Sequence, residues 1–584
     1  MKSSQQFTPA RKRSAGGAPW ILLAVVVLAI VGLAGYYLLM PVPGTQTDDS
    51  TVDESGPAWF AEGAAAAGID FVHASGFDGK TYLFPEIFCA GVGVFDYDND
   101  GLLDIYLVQS AQLEGGQLNQ PGQSNRLYRN LGARKFQDVT EQAGVGDAGY
   151  GIGCACGDYD NDGDVDLYVT NVGADVLYRN DGNGQFTDVS RTAGISQSAR
   201  VSASAAFGDY DNDGDLDLYV VHYVDWSKSV ELPCYNSQGT LDYCQPLNYR
   251  LPGKDVLYRN DGNGQFTDVS KEVGIHSVFG NGFGIAAGDL NDDGRLDYFV
   301  ANDSDPNQLW LQNDQGKFAE SSLWHGVAVN QMGDAEAGMG AAAIDIDHDG
   351  DLDLYLTHLI TETNTLYLNA GGGDFEDRTD QLGFGATSFS YTGWGLGFGD
   401  FDNDTHLDAY IANGGVMIPD NAPQPDPYVQ HNVLLTSDNS NKFRAVSPKG
   451  GTRPPLLHTS RGAAFGDLDN DGGIDVVVNN KDASPYLLWN VRGSERQWIR
   501  FRVLEQGRDA HYARVKIEGG FGTRRRMVDR SYSYASSSEA TLHFGLGTET
   551  AVSVAEVRWL DGSTESFGPF SAGQTHVLER GKGR

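Results

Sequence analysis

The sequence has little positive charge and little cysteine. Only 41 of its 584 residues are lysine or arginine, against 79 aspartates and glutamates, and the formal net charge is −38. Because nucleic-acid phosphates are bound by basic surfaces, this balance argues against a nucleic-acid-binding protein. The five cysteines form no CxxC or CxxCH motif, which argues against zinc ribbons and c-type haem attachment.

Motifs of common enzyme classes are also missing. The sequence contains no HExxH, no GxSxG and no Walker loop. The segments GIGCACG and GNGFG superficially resemble a dinucleotide-binding fingerprint, but they run into acidic loops rather than helices. His73, His222 and His358 lie near apolar or aromatic residues and are interpreted as structural histidines. These absences favour a protein without catalytic activity.

Outside the N-terminus the chain has almost no helix-period apolar runs. The first 13 residues carry four basic side chains and no acid, and residues 20–40 carry no charge. At 1.5 Å per residue, about 20 apolar residues span a hydrocarbon core of about 30 Å, and the basic flank favours the cytoplasm. We predict a cytoplasmic tail at residues 1–18, a transmembrane signal anchor at 19–40 and a linker at 41–57. The rest would be exported to the periplasm or cell surface; a cleaved signal peptide is the alternative.

Aspartate is abundant and concentrated in seven short repeats, such as DYDNDGDVD at Asp158. We call these repeats aspartate loops 1 to 7. Their candidate metal ligands stand at positions 1, 3, 5 and 9. They are Asp96, Asp98, Asp100 and Asp104; Asp158, Asp160, Asp162 and Asp166; Asp209, Asp211, Asp213 and Asp217; Asp289, Asn291, Asp293 and Asp297; Asp345, Asp347, Asp349 and Asp353; Asp400, Asp402, Asp404 and Asp408; and Asp467, Asp469, Asp471 and Asp475.

So many like charges in one loop repel one another unless a cation lies among them, and Ca²⁺ accepts six to eight oxygen ligands. An EF-hand is excluded, because position 12 is apolar or small and the flanking sequence is β-type rather than helical. We predict up to seven calcium sites, which would bring the formal charge from −38 to about −24. Asn291 replaces an aspartate in loop 4. Thr405 replaces the glycine of loop 6, which predicts the weakest site there.

A second repeat alternates with the aspartate loops. DVLYRNDGNGQFTDVS begins at Asp175 and occurs again, unchanged, at Asp255, and its DG and NG pairs between apolar runs are hairpin signals. Units with about four short strands are typical of propeller blades. We predict an all-β chain with a seven-bladed β-propeller at residues 58–490 and a small β domain at 491–584.

Three units contain long insertions, at residues 110–124, 223–254 and 414–431. They are either binding loops or tolerated insertions. Cys234 and Cys244 lie in the second insertion, where a disulfide is plausible outside the cytosol, although two free thiols remain the alternative. Cys154 and Cys156 precede an aspartate loop and are interpreted as buried core residues.

The glycine-rich segments and aspartate loops together resemble the FG-GAP/VCBS repeats of integrin alpha subunits and of bacterial exported proteins. GIDFVHASGFDGKTYLFPEIFCAGVGVFDYDNDGLLD, from Gly68, is similar to the first unit of the cartilage acidic protein family. LHFGLG and VRWLDG, at Leu542 and Val557, resemble the ASPIC/UnbV domain. The integrin resemblance implies that the loop aspartates hold Ca²⁺ and stiffen the blade edges.

The predicted function is a membrane-anchored, calcium-binding propeller that binds a protein or polysaccharide at the cell envelope. One alternative is a structural or assembly factor of an envelope complex. Another is a propeller enzyme acting on glycans, or a quinone-dependent dehydrogenase. Arg524, Arg525 and Arg526 form the only basic cluster of the exported part, and either contact an anionic glycan or lipid or partner the acidic propeller.

Overall fold

The computed structural model describes residues 56–110, 123–196, 200–419 and 425–584. These residues are almost entirely β-strands, turns and loops, so the predicted all-β fold is confirmed. The predicted tail, signal anchor and nearly all of the linker lie outside the described residues. In the part of the chain that is described, no helix is long and apolar enough to cross a membrane.

Seven groups of four strands, called sheets 1 to 7, follow one another along the chain. Sheets 1 to 3 are Val92–Phe95, Asp104–Leu107, Arg126–Asn130, Phe136–Asp138; Tyr150–Gly157, Asp166–Gly173, Val176–Asn180, Phe186–Asp188; and Arg200–Gly208, Asp217–His222, Val256–Asn260, Phe266–Asp268. Sheets 4 and 5 are Gly282–Gly288, Asp297–Asn302, Gln308–Gln312, Phe318–Glu320; and Ala341–Ile344, Asp353–Leu356, Thr365–Asn369, Phe375–Asp377. Sheets 6 and 7 are Gly393–Gly399, Asp408–Asn413, Val433–Thr436, Arg444–Ala445; and Ser460–Gly466, Asp475–Asn480, Tyr486–Asn490, Phe60–Glu62.

The strands of each sheet pair antiparallel, and the chain closes on itself. Phe60–Glu62, at the start of the described chain, is the fourth strand of sheet 7 and pairs antiparallel with Tyr486–Asn490. The first strand of each sheet lies against the first strand of the next, and that of sheet 7 lies against that of sheet 1. A short pairing of Arg200 and Val201 with Gly173 and Val172 also joins sheets 2 and 3. This closed arrangement is consistent with a β-propeller.

Residues 497–579 form a C-terminal domain of further sheets. One sheet contains Gln497–Glu505, Arg508–Asp509, Leu542–Gly547 and Thr575–Glu579. The second contains Arg514–Gly519, Gly522–Met527, Ala555–Arg558 and Thr564–Phe567. This domain also contains a small strand pair, Ala551–Val552 with Phe570–Ser571. Two other small pairs lie outside the domain: Cys234–Tyr235 with Leu241–Asp242, and Gln430–His431 with Leu457–His458.

Helices in the described chain are single turns. The α-helices are Ala64–Ala67, Thr140–Ala143, Pro246–Tyr249, Ser270–Val273, Thr379–Leu382 and Gly385–Ser388. The 3₁₀ turns are Phe84–Ile87, Lys228–Val230, Ile275–Ser277, Lys449–Gly451 and Gly493–Glu495. None of them is long enough to form a helical layer, so the core consists of contacts between β-sheets.

A segment of the C-terminal domain, residues 529–541, inserts among the first strands of the sheets. We call it the plug. Ser537 exchanges backbone hydrogen bonds with the strand Val92–Phe95, and Ser533 exchanges them with Ala341. A Cβ at Gly91 or Gly153 would lie 2.2 or 2.6 Å from the carbonyl oxygen of Ala535. The glycines of these first strands therefore allow the plug to approach the backbone closely.

Candidate functional site

Each aspartate loop connects the first strand of a sheet to the second, and the fold gathers its carboxylates into a small volume. Ligand atoms from three acids lie within 4.8 Å of one another in each of several loops. These groups include Asp96, Asp98, Asp104; Asp158, Asp160, Asp166; Asp209, Asp211, Asp213; Asp345, Asp347, Asp353; and Asp400, Asp402, Asp404. In these five loops the structure thus brings together three of the four predicted ligands, without the fifth position in loops 1, 2 and 5 and without the ninth in loops 3 and 6.

Loop 2 shows how the backbone holds these side chains. The two carboxylate oxygens of Asp158 accept hydrogen bonds from the amides of Asp162 and Gly163, at 3.1 and 3.0 Å. Those of Asp166 accept from the amides of Asn180 and Tyr159, at 2.7 and 3.0 Å. The first and ninth positions are therefore fixed by the strands and the turn before any ligand binds.

The third position of loops 1, 2 and 6 is arranged differently and fits a cation. Oδ1 of Asp98, of Asp160 and of Asp402 is buried and has no hydrogen-bond partner among the described residues. A buried carboxylate oxygen without a partner is costly, and a metal ion would satisfy it. Burial, together with repulsion from neighbouring carboxylates, raises the pKa of Asp158 and of Asp160 to about 6. These donors are hard oxygens, which suit Ca²⁺.

Side-chain amides, which the sequence interpretation missed, link neighbouring sheets at the loops. Asn180 of sheet 2 donates to the carbonyl of Tyr97 in loop 1 at 2.8 Å, and Asn130 of sheet 1 donates to Leu468 in loop 7 at 2.8 Å. Asn260, Asn369 and Asn490, with Gln312, make the same contact. The recurrence of Asn in the LYRN segments was a usable signal, because a repeated polar residue in a buried strand needs a repeated partner.

Arginines of the C-terminal domain contact several aspartate loops. Arg500 pairs with Asp467 of loop 7 at 3.1 Å, and Arg496 pairs with Asp402 of loop 6 at 2.8 Å. Arg514 and Arg558 pair with Asp292 of loop 4. By contrast, loops 2 and 3 have no ion pair within 4.0 Å in the described ranges. Arg508 of the C-terminal domain contacts uncharged groups of these two loops, since it donates to Oδ1 of Asn161 at 2.7 Å and to the carbonyl of Gly214 at 3.0 Å.

The predicted basic cluster faces the propeller sheets. The guanidinium of Arg524 donates to the carbonyl of Thr405 and that of Arg525 to the carbonyl of His348, in loops 6 and 5. Arg526 lies over the ring of Phe544, with its Cζ 5.4 Å from the ring centroid. For Arg524 and Arg525 these contacts favour the second of the two interpretations, in which the cluster partners the acidic propeller. The ring that Arg526 contacts belongs to the C-terminal domain itself.

Thr405 occupies the glycine position of loop 6 and carries backbone strain. Its φ is +84°, while the glycines at the same position in the other six loops have φ between +82° and +117°. A left-handed conformation costs about 1–2 kcal/mol for a residue with a side chain, and a β-branched one is a clear outlier. The side chain gains one partner, since Arg524 donates to its Oγ1 at 3.2 Å.

Replacing Thr405 by glycine should stabilise the protein. We expect Thr405→Gly to raise the free energy of unfolding by about 1 kcal/mol, because relief of strain exceeds the lost hydrogen bond. The measurement is denaturant unfolding at saturating calcium. Thr405→Ala is the matched control, since it loses the same hydroxyl but keeps a Cβ at positive φ. If glycine is no more stable than alanine, strain is not stored at this position.

At the opposite ends of the strands, two of the predicted insertions meet. We call residues 77–88, 223–254, 414–419 and 425–431 the loop face. Asp242 accepts from the amide of Ile418 at 3.0 Å and from the hydroxyl of Tyr428 at 3.0 Å. Tyr243 donates to Glu86 at 3.2 Å. Cys234 and Cys244 form a disulfide within this face. The third insertion, at residues 110–124, is almost entirely outside the described residues.

The loop face exposes apolar side chains in unusual density. Of the 19 large hydrophobic residues that are exposed in the described part of the chain, seven lie on it. They are Phe77, Leu232, Tyr235, Leu241, Leu247, Leu251 and Met417. Concentrated exposed apolar surface on a rigid scaffold is typical of an interaction site.

The three histidines interpreted as structural, and the cysteines outside the disulfide, are buried. His73 contacts Ser110 through Nε2 at 3.2 Å and the amide of Asp482 through Nδ1 at 3.2 Å. Burial lowers the pKa of His73 to about 4 and that of His222 to about 3, and it also lowers the pKa of His358. Cys154 and Cys156 are buried free thiols. These groups fit structural roles.

Family models match most of the region that the motifs indicated. Residues 96–169, 158–220, 235–300 and 289–356 match the FG-GAP-like repeat. Residues 504–584 match the ASPIC and UnbV model. The two resemblances drawn from the sequence are therefore confirmed.

Curated relatives agree with this assignment. Cartilage acidic protein 1 of Mus musculus is 24% identical over 518 residues, which covers 84% of this chain and 64% of the relative. The protein of the same name from Homo sapiens is 23% identical over 516 residues, covering 84% of this chain and 62% of the relative. The chain thus spans less than two thirds of the length of these relatives.

A likeness among solved structures is weaker. A structure described as an Agrocybe aegerita protein that recognises non-reducing terminal N-acetylglucosamine is 14% identical, with a TM-score of 0.38. The match covers 68% of this chain and 86% of that one. At this level of similarity it supports no conclusion about a ligand.

Proposed function

We propose that this chain, which carries FG-GAP-like repeats and a C-terminal ASPIC and UnbV domain, is a calcium-stabilised propeller that binds a protein or a polysaccharide. The repeats and the cartilage acidic protein relatives suggest a propeller-type binding or adhesion protein. The seven four-stranded sheets, with first strands in cyclic contact, support seven blades. Pairing of the N-terminal strand with sheet 7 supports closure of the ring.

Calcium in the aspartate loops is proposed as a structural cofactor. The observation that carries this proposal is the set of buried carboxylate oxygens without partners at Asp98, Asp160 and Asp402. Calcium would supply positive charge among the acids of each loop. Loop 2 is the strongest candidate, because it combines the partnerless oxygen of Asp160 with the absence of ion pairs within the described residues. Loop 3 shares that absence, and loop 6, whose turn carries Thr405 in place of glycine, is the weakest.

The loop face is proposed as the ligand-binding surface. Its support is the concentration of exposed apolar residues and the mutual packing of its four ranges. The disulfide Cys234–Cys244 supports an oxidising compartment, because such bonds persist outside the cytosol. We further propose that residues 19–40 anchor the chain in a membrane, with the sheets on the exported side.

A capture experiment with the full-length chain in mild nonionic detergent tests this function. Baits are a panel of purified polysaccharides and a fractionated cell envelope, each with Ca²⁺ and with EGTA. We expect saturable, calcium-dependent binding that Tyr235→Ala weakens at least about fivefold, because exposed aromatic residues often dominate interfaces. Trp324→Ala is the control, since Trp324 is 87% exposed but lies outside the loop face.

The outcomes separate the classes of partner. Capture by one polysaccharide indicates a lectin-like adhesin, and capture of one identified protein indicates a scaffold or assembly role. Binding that is equally sensitive to both variants, or to neither, would contradict the loop face as the binding surface. Turnover of a glycan by the chain would contradict a purely binding role.

A further inference from the structure

A cavity of about 120 Å³ lies between the C-terminal domain and sheets 5, 6 and 7. Its propeller side is partly apolar, with Phe398, Phe465 and Ile474. The C-terminal domain contributes four arginines, which are Arg500, Arg514, Arg525 and Arg526. The volume exceeds the roughly 10–15 Å³ needed for one water several times over, so a small polyatomic ligand fits.

Three of the four arginines form ion pairs with nearby carboxylates, and two of these also donate hydrogen bonds to backbone carbonyls. Arg500 pairs with Asp467 at 3.1 Å and with Glu539. Arg514 donates to the carbonyl of Gly350 at 3.0 Å and pairs with loop 4. Arg525 donates to the carbonyl of His348 and lies 3.9 Å from Asp345.

Arg526 differs from the other three. Its one hydrogen bond within the described residues runs from Nη1 to the carbonyl oxygen of Arg525 at 2.8 Å. No carboxylate of the described chain lies within 4.0 Å of its guanidinium nitrogens. A guanidinium has five N–H donors, so most of the donors of Arg526 have no acceptor among the described residues. Arg526 lines the cavity. The side chain of Arg526 is partly accessible to solvent. Burial lowers its pKa to about 10, which still leaves it charged at neutral pH.

A second group of the cavity also lacks a partner. Oδ2 of Asp529 is buried and accepts no hydrogen bond in the described structure. Burial raises the pKa of Asp529 to about 7. Its protonated form donates a hydrogen bond, which an anionic oxygen accepts. A charged donor and a neutral donor therefore face the same cavity. Asp345, a candidate calcium ligand of loop 5, also lines it, and both of its carboxylate oxygens are buried without a hydrogen-bond partner among the described residues.

We propose that this cavity binds a small oxyanion, a phosphate or a short carboxylate, through the guanidinium of Arg526. Such ions present oxygen pairs that match the guanidinium fork and compensate its charge. The apolar side chains on the propeller side of the cavity exclude water, which strengthens the electrostatic attraction between the oxyanion and Arg526. The site lies apart from the loop face and does not depend on which partner binds there.

Calorimetric titration of the full-length chain in nonionic detergent tests the proposal. The protein is first dialysed into a chloride buffer with 0.2 mM calcium, roughly enough to keep calcium loops filled without precipitating phosphate. Inorganic phosphate and succinate are titrated in separate arms, which distinguishes the two sources of oxyanion. We expect one site per chain, and Arg526→Gln should weaken binding about tenfold or more.

Two comparisons exclude a merely structural role for Arg526. Arg580→Gln is the control, because Arg580 pairs with Glu505 and Asp561 and does not line the cavity. It should bind the oxyanion like the unaltered chain, and Arg526→Lys should retain intermediate affinity. Without oxyanion, Arg526→Gln should melt no lower than the unaltered chain, because the burial that lowers the pKa of Arg526 outweighs its attraction to Asp400, Asp345 and Asp408. Absence of heat in both arms, or equal affinity of Arg526→Gln, would overturn the proposal.

Discussion

Chelation of calcium should lower the melting temperature of the full-length chain by about 10 °C or more. Ligands that bind only the native state stabilise it by about 2.7 kcal/mol per site at a hundredfold excess over Kd, and several loops contribute. Each kcal/mol shifts the melting temperature by about 2–4 °C in domains of 150–250 residues and by less in a larger unit. Loops 2 and 3, which have no arginine pairs among the described residues, should account for much of the effect.

Scanning calorimetry with Ca²⁺, with EGTA and with EGTA plus excess Mg²⁺ measures this effect. Readdition of Ca²⁺ should restore the original transition, whereas Mg²⁺ should restore little, because it demands smaller, octahedral sites. An unchanged transition in EGTA would refute the calcium sites as a group.

A matched pair of substitutions assigns the effect to one loop. Asp160→Asn removes the carboxylate whose Oδ1 is buried without a partner, and it should reduce the calcium-dependent stabilisation by about one site, or about 2–3 kcal/mol. Asp164→Asn removes the same charge from the same loop. Asp164 accepts from Asn99 at 2.6 Å and lies outside the triad of Asp158, Asp160 and Asp166. Equal loss in both variants would indicate a general charge effect rather than a ligand position.

The features that could be predicted from the sequence are local and repeated. The aspartate loops are recognisable because position-specific acids and a turn glycine occur within nine residues. Hairpins such as the one joining Asn180 to Phe186 follow from adjacent apolar runs and a DG pair. Each of these signals is complete within one repeat, and seven copies reinforce it.

Contacts between distant segments could not be predicted in the same way. The plug, residues 529–541, is rich in serine, and its one strand-like alternation, SYSY at residues 531–534, is too short to identify a partner. Its partners lie up to 446 residues away, as in the bond from Tyr534 to Phe88. Arg500 and Asp467 meet because the C-terminal domain docks on the loops. The contact of Asp242 with Tyr428 depends on two insertions that meet outside any repeat.

The plug should contribute strongly to stability, and Tyr534→Ala should show this. Tyr534 is fully buried, and its ring centroid lies 4.7 Å from that of Trp394 and 5.6 Å from that of Phe283. Its hydroxyl donates to the carbonyl of Phe88 at 2.7 Å. Removing a large buried aromatic side chain typically costs about 3–5 kcal/mol, because the surrounding residues only partly fill the cavity.

Two further variants divide this cost between packing and hydrogen bonding. Tyr534→Phe keeps the ring and should cost only about 1–2 kcal/mol, the penalty for leaving the Phe88 carbonyl without its donor. Tyr235→Ala removes a tyrosine that is 62% exposed and should change stability by less than about 0.5 kcal/mol. Denaturant unfolding compares all three. If Tyr534→Ala costs no more than Tyr235→Ala, the plug does not bind the C-terminal domain to the sheets. If Tyr534→Ala costs the expected amount, the C-terminal domain and the propeller sheets stabilise each other through the plug. Loss of the plug contacts should then also expose the C-terminal domain to proteolysis.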